Sequence, residues 1–129
     1  MANSYRELIA WQRALDLSVQ VYSLTSCFPR EEIYGLTSQM RRAAVSIPSN
    51  IAEGYGRNSS SEYRHFLGIA RGSTLELTTQ LAIAKRLGLA KPEPLERVEL
   101  LAEEVGKIIW AIRKKLDTAQ QRKPAFPEP

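Results

Sequence analysis

Apolar residues recur along this chain every three or four positions, in four blocks parted by glycine and proline, and nowhere do they alternate with the period of a strand. The pattern predicts an all-α protein of four amphipathic helices. The first runs from about Leu8 to Cys27 and stops before Phe28-Pro29, because the residue ahead of proline is pushed out of helical geometry. The second runs from about Ile33 to Gly54, where Ile33, Leu36, Met40, Ala43, Ile47 and Ile51 make one stripe that passes straight through Pro48. A proline there cannot donate to the Ala44 carbonyl, so the helix either kinks or restarts. Two short helices, with Asn50 as cap and Glu53 closing a capping box, are one reading; the unbroken phase of the stripe favours a single helix kinked at Pro48.

Gly54-Tyr55-Gly56-Arg57-Asn58 reads as a helix stop and turn, and Ser59 with Glu62 has the capping-box spacing that opens the third helix. That helix buries Tyr63, Leu67, Ala70, Thr74, Leu77, Leu81 and Ala84 and ends at Gly88. Lys91-Pro92-Glu93-Pro94 opens the fourth, whose Leu95, Val98, Ala102, Val105, Ile109, Ile112 and Leu116 repeat as a heptad. Four such helices with short connections predict an antiparallel four-helix bundle over residues 1–118, followed by a proline-rich, disordered tail over 119–129.

The first helix carries more apolar surface than a bundle seam needs. Ala10, Ala14, Leu17, Val21, Leu24 and Phe28 form one stripe; Leu8, Trp11, Leu15, Val19 and Tyr22 form a second beside it. The second stripe is either sunk among the neighbouring helices or forms a contact between subunits.

Composition narrows the class of function. A chain of 129 residues, 43% hydrophobic, suffices for one core. No secretory leader or membrane-spanning run is evident, and Cys27 alone makes neither an internal disulfide nor a thiolate metal cage, so a reducing, cytoplasmic setting is expected with Cys27 as a small buried hydrophobe. The formal charge of +4 permits an anionic partner without demanding one.

The search for catalytic chemistry returns little. His65 is the single histidine, and no activated nucleophile accompanies it. Glu62 and His65 have the Glu-x-x-His spacing of di-iron bundles, but such a site needs a second copy and two further inward glutamates, so an ordinary surface pair is the better reading. Gly54-Tyr55-Gly56 lacks the third glycine and the preceding strand of a phosphate loop. The glutamates of the fourth helix suit its N-terminal dipole, with Glu93 and Arg97, and Glu103 and Lys107, spaced as surface pairs. No enzyme, metal or cofactor is expected.

The basic residues remain. Arg41 and Arg42 precede Pro48, Arg57 lies in the turn, and Arg64 and Arg71 flank Gly68 on one face of the third helix. Two guanidinium groups around a glycine suit a phosphate backbone, and they equally suit helix packing with Glu53 or Glu76 as partners. A second group, Lys107, Arg113, Lys114, Lys115, Arg122 and Lys123, fits the dipole at a helix C-terminus. A nucleic-acid-binding accessory protein is one reading, and a protein scaffold without direct nucleic-acid contact is the alternative.

Tyr5-Arg6-Glu7-Leu8-Ile9-Ala10-Trp11-Gln12, Tyr34 to Arg42, Gln39 to Arg57, Glu62 to Leu67 and Leu75 to Leu81 together give the chain a resemblance to the four-helix-bundle proteins encoded in intervening sequences of bacterial 23S ribosomal RNA genes. The resemblance thins after Gly88 and is lost from Thr118. It implies a homopentameric ring of helical hairpins with no established enzymatic activity. A similar bundle is the accessory protein of diversity-generating retroelements, which implies RNA or DNA and a reverse transcriptase as partners.

Overall fold

The four helices form, and local chemistry sets their ends. The computed structural model describes residues 4–122, with α1 at Ile9–Thr25, α2 at Leu36–Tyr55, α3 at Ser60–Leu87 and α4 at Pro92–Arg122; short 3₁₀ turns occupy Tyr5–Glu7 and Arg30–Glu32. No strand occurs among the described residues. Ser59 caps α3, its Oγ accepting from the Glu62 backbone N–H at 3.0 Å. Gly88 takes the left-handed conformation, φ 66°, that ends the same helix, and Pro92 supplies a preset first residue for α4. That helix continues past the expected boundary at 118; the remainder of the tail expected over 119–129 lies outside the described residues beyond 122.

The start of α2 differs from expectation. Residues 30–32 form a tight turn, and the Glu32 carboxylate accepts from the Leu36 N–H at 3.2 Å, so the helix begins at Leu36. Ile33 therefore leaves the inward stripe and is exposed. Cys27 is exposed too, contrary to the buried hydrophobe expected of it, because α1 ends two residues earlier.

The inward stripes meet in one core. Leu17, Val21, Met40, Ile47, Ile51, Leu67, Leu77, Leu81, Val105 and Ile109 are fully buried, each large side chain contributing about 1.5–3 kcal/mol. Each helix packs on two neighbours, α1 on α2 and α4, α3 on α2 and α4, and the diagonal pairs stay apart. The packing of α2 on α3 is the most extensive. The stop expected within Gly54 to Asn58 falls at Tyr55, with Gly56 as the cap, and Gly54 itself belongs to that contact: it is buried in the last turn of α2, and a β-carbon there would lie 2.6 Å from Phe66 Cβ.

At Pro48 the helix runs on without interruption, so the reading of two short helices fails; Asn50 caps nothing and donates instead to the Ser46 carbonyl and Oγ of its own helix, at 2.8 and 2.9 Å. The carbonyl that Pro48 leaves without its helical donor, that of Ala44, accepts from Ser18 Oγ on α1 at 2.9 Å. A buried serine thereby seals the gap left by a buried proline. Ser18→Ala should cost about 1–3 kcal/mol, the penalty of a buried unsatisfied acceptor. In a Pro48→Ala background, where the backbone N–H returns, the same change should cost much less. Denaturant unfolding of the four proteins of this double-mutant cycle measures the difference, and equal costs in both backgrounds would show that Ser18 does not serve that carbonyl.

Two glutamates of α4, Glu99 and Glu104, reach across to other helices. Glu104 takes both Nε and Nη2 of Arg13 on α1, at 3.1 and 2.9 Å, and Glu99 takes Lys85 of α3 at 3.3 Å. The hydrogen bond from Arg13 holds the Glu104 carboxyl below its ordinary range. Its stabilising contribution is thus present at neutral pH and lost as pH falls through that lowered value.

Candidate nucleic-acid interface

The structure does not bring the five arginines together. Arg41 lies near the start of α2 and Arg57 just beyond its end, about 24 Å apart at 1.5 Å per residue. Each then meets a different environment. Arg57 donates to Glu53 at 2.6 Å, lies 3.6 Å from Glu62 and stacks over the Phe66 ring. Arg64 donates to Asp117 of α4 at 2.7 Å, a partner that neither Glu53 nor Glu76 anticipated. Both charges are already answered by carboxylates.

Gly68 is not an open approach for a phosphate backbone. The Arg113 guanidinium from α4 covers it, at 3.5 Å from where a β-carbon would stand, with its Nε buried and without a hydrogen-bond partner. Arg113 has a ready explanation in the helix dipole, and no feature of its own segment marks it as the group that fills the gap above Gly68. Arg71 lies in a neighbouring groove between α3 and α4, walled by Leu75, Leu100 and Trp110.

Arg41 is different in kind. Its Nε donates to Thr25 Oγ1 at 2.8 Å, its Nη2 to the Tyr22 carbonyl at 3.4 Å, and its guanidinium lies 4.5 Å from the centre of the Tyr22 ring. These partners are neutral, so the side chain is held in place with its charge uncompensated. Arg42 is exposed beside it. With Arg30, a residue that nothing in the sequence singles out, they line an open cleft of about 660 Å³ at the α1–α2 turn, together with Tyr22, Tyr34 and the hydroxyls of Thr25, Ser26, Thr37 and Ser38. None of the residues lining it carries a carboxylate. The Thr25 and Ser26 hydroxyls already donate to the Val21 and Ser23 carbonyls, so the three guanidinium groups, one of them prepositioned, make the surface that favours phosphate oxygens.

The other expected features resolve simply. In the second stripe of α1, Leu8 and Trp11 are half-buried against the core, whereas Leu15, Val19 and Tyr22 remain exposed, Val19 at 64%. His65 is exposed and rests edge-on against Phe66, while Glu62 turns to Arg57. No cluster of metal-ligating side chains occurs among the described residues. No helix among them is long and apolar enough to cross a membrane.

The sequence profile of the 23S rRNA-intervening sequence proteins matches residues 6–111. Among solved structures, a protein of unknown function from the S23 ribosomal protein family of Bacteroides thetaiotaomicron is similar in fold, with a TM-score of 0.75 and 21% identity over 82% of this chain and 99% of that one. No curated protein matches.

Proposed function

Since this chain belongs to the 23S rRNA-intervening sequence protein family, we propose that it is a non-enzymatic, homo-oligomeric accessory protein of the cytoplasm that binds the backbone of RNA or DNA. The observation that carries this reading is the contrast among the arginines: Arg57 and Arg64 are neutralised by carboxylates, while Arg41 is fixed by neutral groups beside Arg42 and Arg30. A side chain held in place with its charge free loses little entropy on meeting a phosphate. Binding follows the backbone and is indifferent to base sequence, because no helix or strand here presents a base-reading motif. Fluorescence anisotropy with a labelled oligonucleotide tests it. Binding should be measurable at low salt and should fall steeply as salt rises, and no binding by the intact oligomer at low salt would reject the proposal.

Assembly multiplies the effect, since a ring repeats the cleft at every subunit. A homopentamer, the state that the family resemblance implies, needs two different patches on each subunit. The exposed Leu15 and Val19 of α1 supply one, Tyr22 of the same stripe being given to the cleft, and the groove of Leu75, Leu100 and Trp110 between α3 and α4, across the bundle from the α1–α2 side, supplies another. The bend that Pro48 imposes on α2 shapes the subunit for this closure. Leu15→Glu should convert the oligomer to folded monomer in light scattering after size exclusion. An unchanged mass would remove that stripe from the interface.

The α3–α4 groove also favours a second reading, a scaffold for another protein such as a reverse transcriptase, because its lining combines apolar Leu75, Leu100 and Trp110 with charges of both signs, Arg71 and Lys107 with Glu96, Glu99 and Glu103. Capture of a partner that survives nuclease treatment would support the scaffold; loss of capture on nuclease treatment would support direct nucleic-acid binding.

A further inference from the structure

We infer that the cleft at the α1–α2 turn is selective for single-stranded nucleic acid, with Tyr34 as the platform on which an unpaired base stacks; the inference rests on the nucleic-acid reading above and names the form of nucleic acid it takes. Tyr34 is 96% exposed, and its neighbour Ile33 is 46% exposed, on a turn otherwise fixed by hydrogen bonds from Glu32 N–H to the Pro29 carbonyl and Gly35 N–H to the Glu32 carbonyl. An aromatic ring left in water on a well-formed turn offers a flat apolar face at little ordering cost. Tyr22 lines the same cleft, with Arg41 already over its ring.

The charges around these rings are arranged for a backbone. Arg30, Arg41 and Arg42 line the cleft, and of the two acids on the turn Glu32 is engaged with the Leu36 N–H while Glu31 is not part of the lining. Thr37, 6% exposed, also lines the cleft, and its buried Oγ1 has no hydrogen-bond partner. Basic groups tracking a backbone and aromatic faces for bases are the two components of sequence-tolerant single-strand recognition. A duplex keeps its bases stacked on each other and can use only the first of them.

The test uses the full chain with a labelled oligothymidylate, the corresponding oligouridylate and a DNA duplex of equal length. Tyr34→Ala should weaken single-strand binding about tenfold, the scale of a single base–aromatic stack, with duplex binding unchanged; Tyr34→Trp should restore it. Equal weakening for single strand and duplex, or none for either while Arg41→Ala with Arg42→Ala abolishes binding, would overturn the stacking role and leave the backbone-binding proposal standing. Failure of the unaltered protein to bind any of the three probes would overturn both. A changed oligomeric mass for Tyr34→Ala would make the ring a protein contact and overturn the inference as well.

Discussion

Gly54→Ala should destabilise the bundle by about 2 kcal/mol even though it removes a glycine from a helix. On propensity alone the substitution gains up to about 1 kcal/mol. Against that stands the contact with α3, where the new methyl would lie 2.6 Å from Phe66 Cβ and 3.3 Å from the Tyr63 carbonyl oxygen. Phe66 Cβ is fixed to its backbone, so relief requires α2 and α3 to separate at their most extensive contact. Overpacking of this kind costs about 1–3 kcal/mol or more, which outweighs the gain. Gly72→Ala is the natural control: it lies in α3, is exposed, and has nothing within 4 Å of its absent β-carbon. There propensity acts alone, and stability should rise by about 0.5–1 kcal/mol. Thermal unfolding should therefore move the two midpoints in opposite directions, with Gly54→Ala lower by roughly 5–10 °C. A Gly54→Ala protein as stable as Gly72→Ala would mean that the close approach of α2 to α3 does not require a glycine.

Replacing Arg41 and Arg42 together by alanine should weaken nucleic-acid binding by about 10–100-fold at low salt, because charge-assisted hydrogen bonds are worth roughly 1.5–3 kcal/mol each and act partly in concert. The salt dependence should also flatten by roughly 0.7–0.9 for each phosphate no longer neutralised. Replacing Arg57 and Arg64 should change affinity far less, since their charges are engaged by Glu53, Glu62 and Asp117. Arg41 also links α2 to α1 through Thr25 and the Tyr22 carbonyl, so its removal lowers stability on its own. Arg42→Ala separates the two effects: it is exposed, and should weaken binding several-fold with an unchanged melting temperature. If the Arg57 and Arg64 pair proves the more damaging in binding, the charged surface lies at the other end of the bundle and the cleft is not the site.

Periodicity makes the bundle legible. The stripes of α1, α3 and α4 fall where their spacing places them, since a residue's phase on a helix follows from its position in the chain, and burial of one face follows from the hydrophobic effect. Ser59 and Gly88 are equally readable, because a cap is a local interaction between residues a few positions apart. The departure at Ile33 has a local cause as well: the spacing permits one more turn of helix, and only the bond from Leu36 N–H to Glu32 decides that the chain turns first. The candidate site is half visible in the sequence, where Arg41 and Arg42 stand out as a pair but Arg30 and Tyr34 do not.

The sequence by itself determined the four helices, their inward faces, their capping residues and a modest excess of positive charge, all of which depend on neighbours within about one turn. Tertiary structure alone decided what each helix meets. It set Ser18 against the carbonyl that Pro48 leaves open, placed Arg113 over Gly68, gave Arg64 to Asp117 and left Arg41 among neutral groups. Whether an arginine is neutralised or free depends on a partner that is 53 residues away for Arg64 and 16 for Arg41, on another helix in both cases. Helical phase fixes the direction in which a side chain leaves its own axis, while the identity of the group waiting there is fixed only when the helices pack.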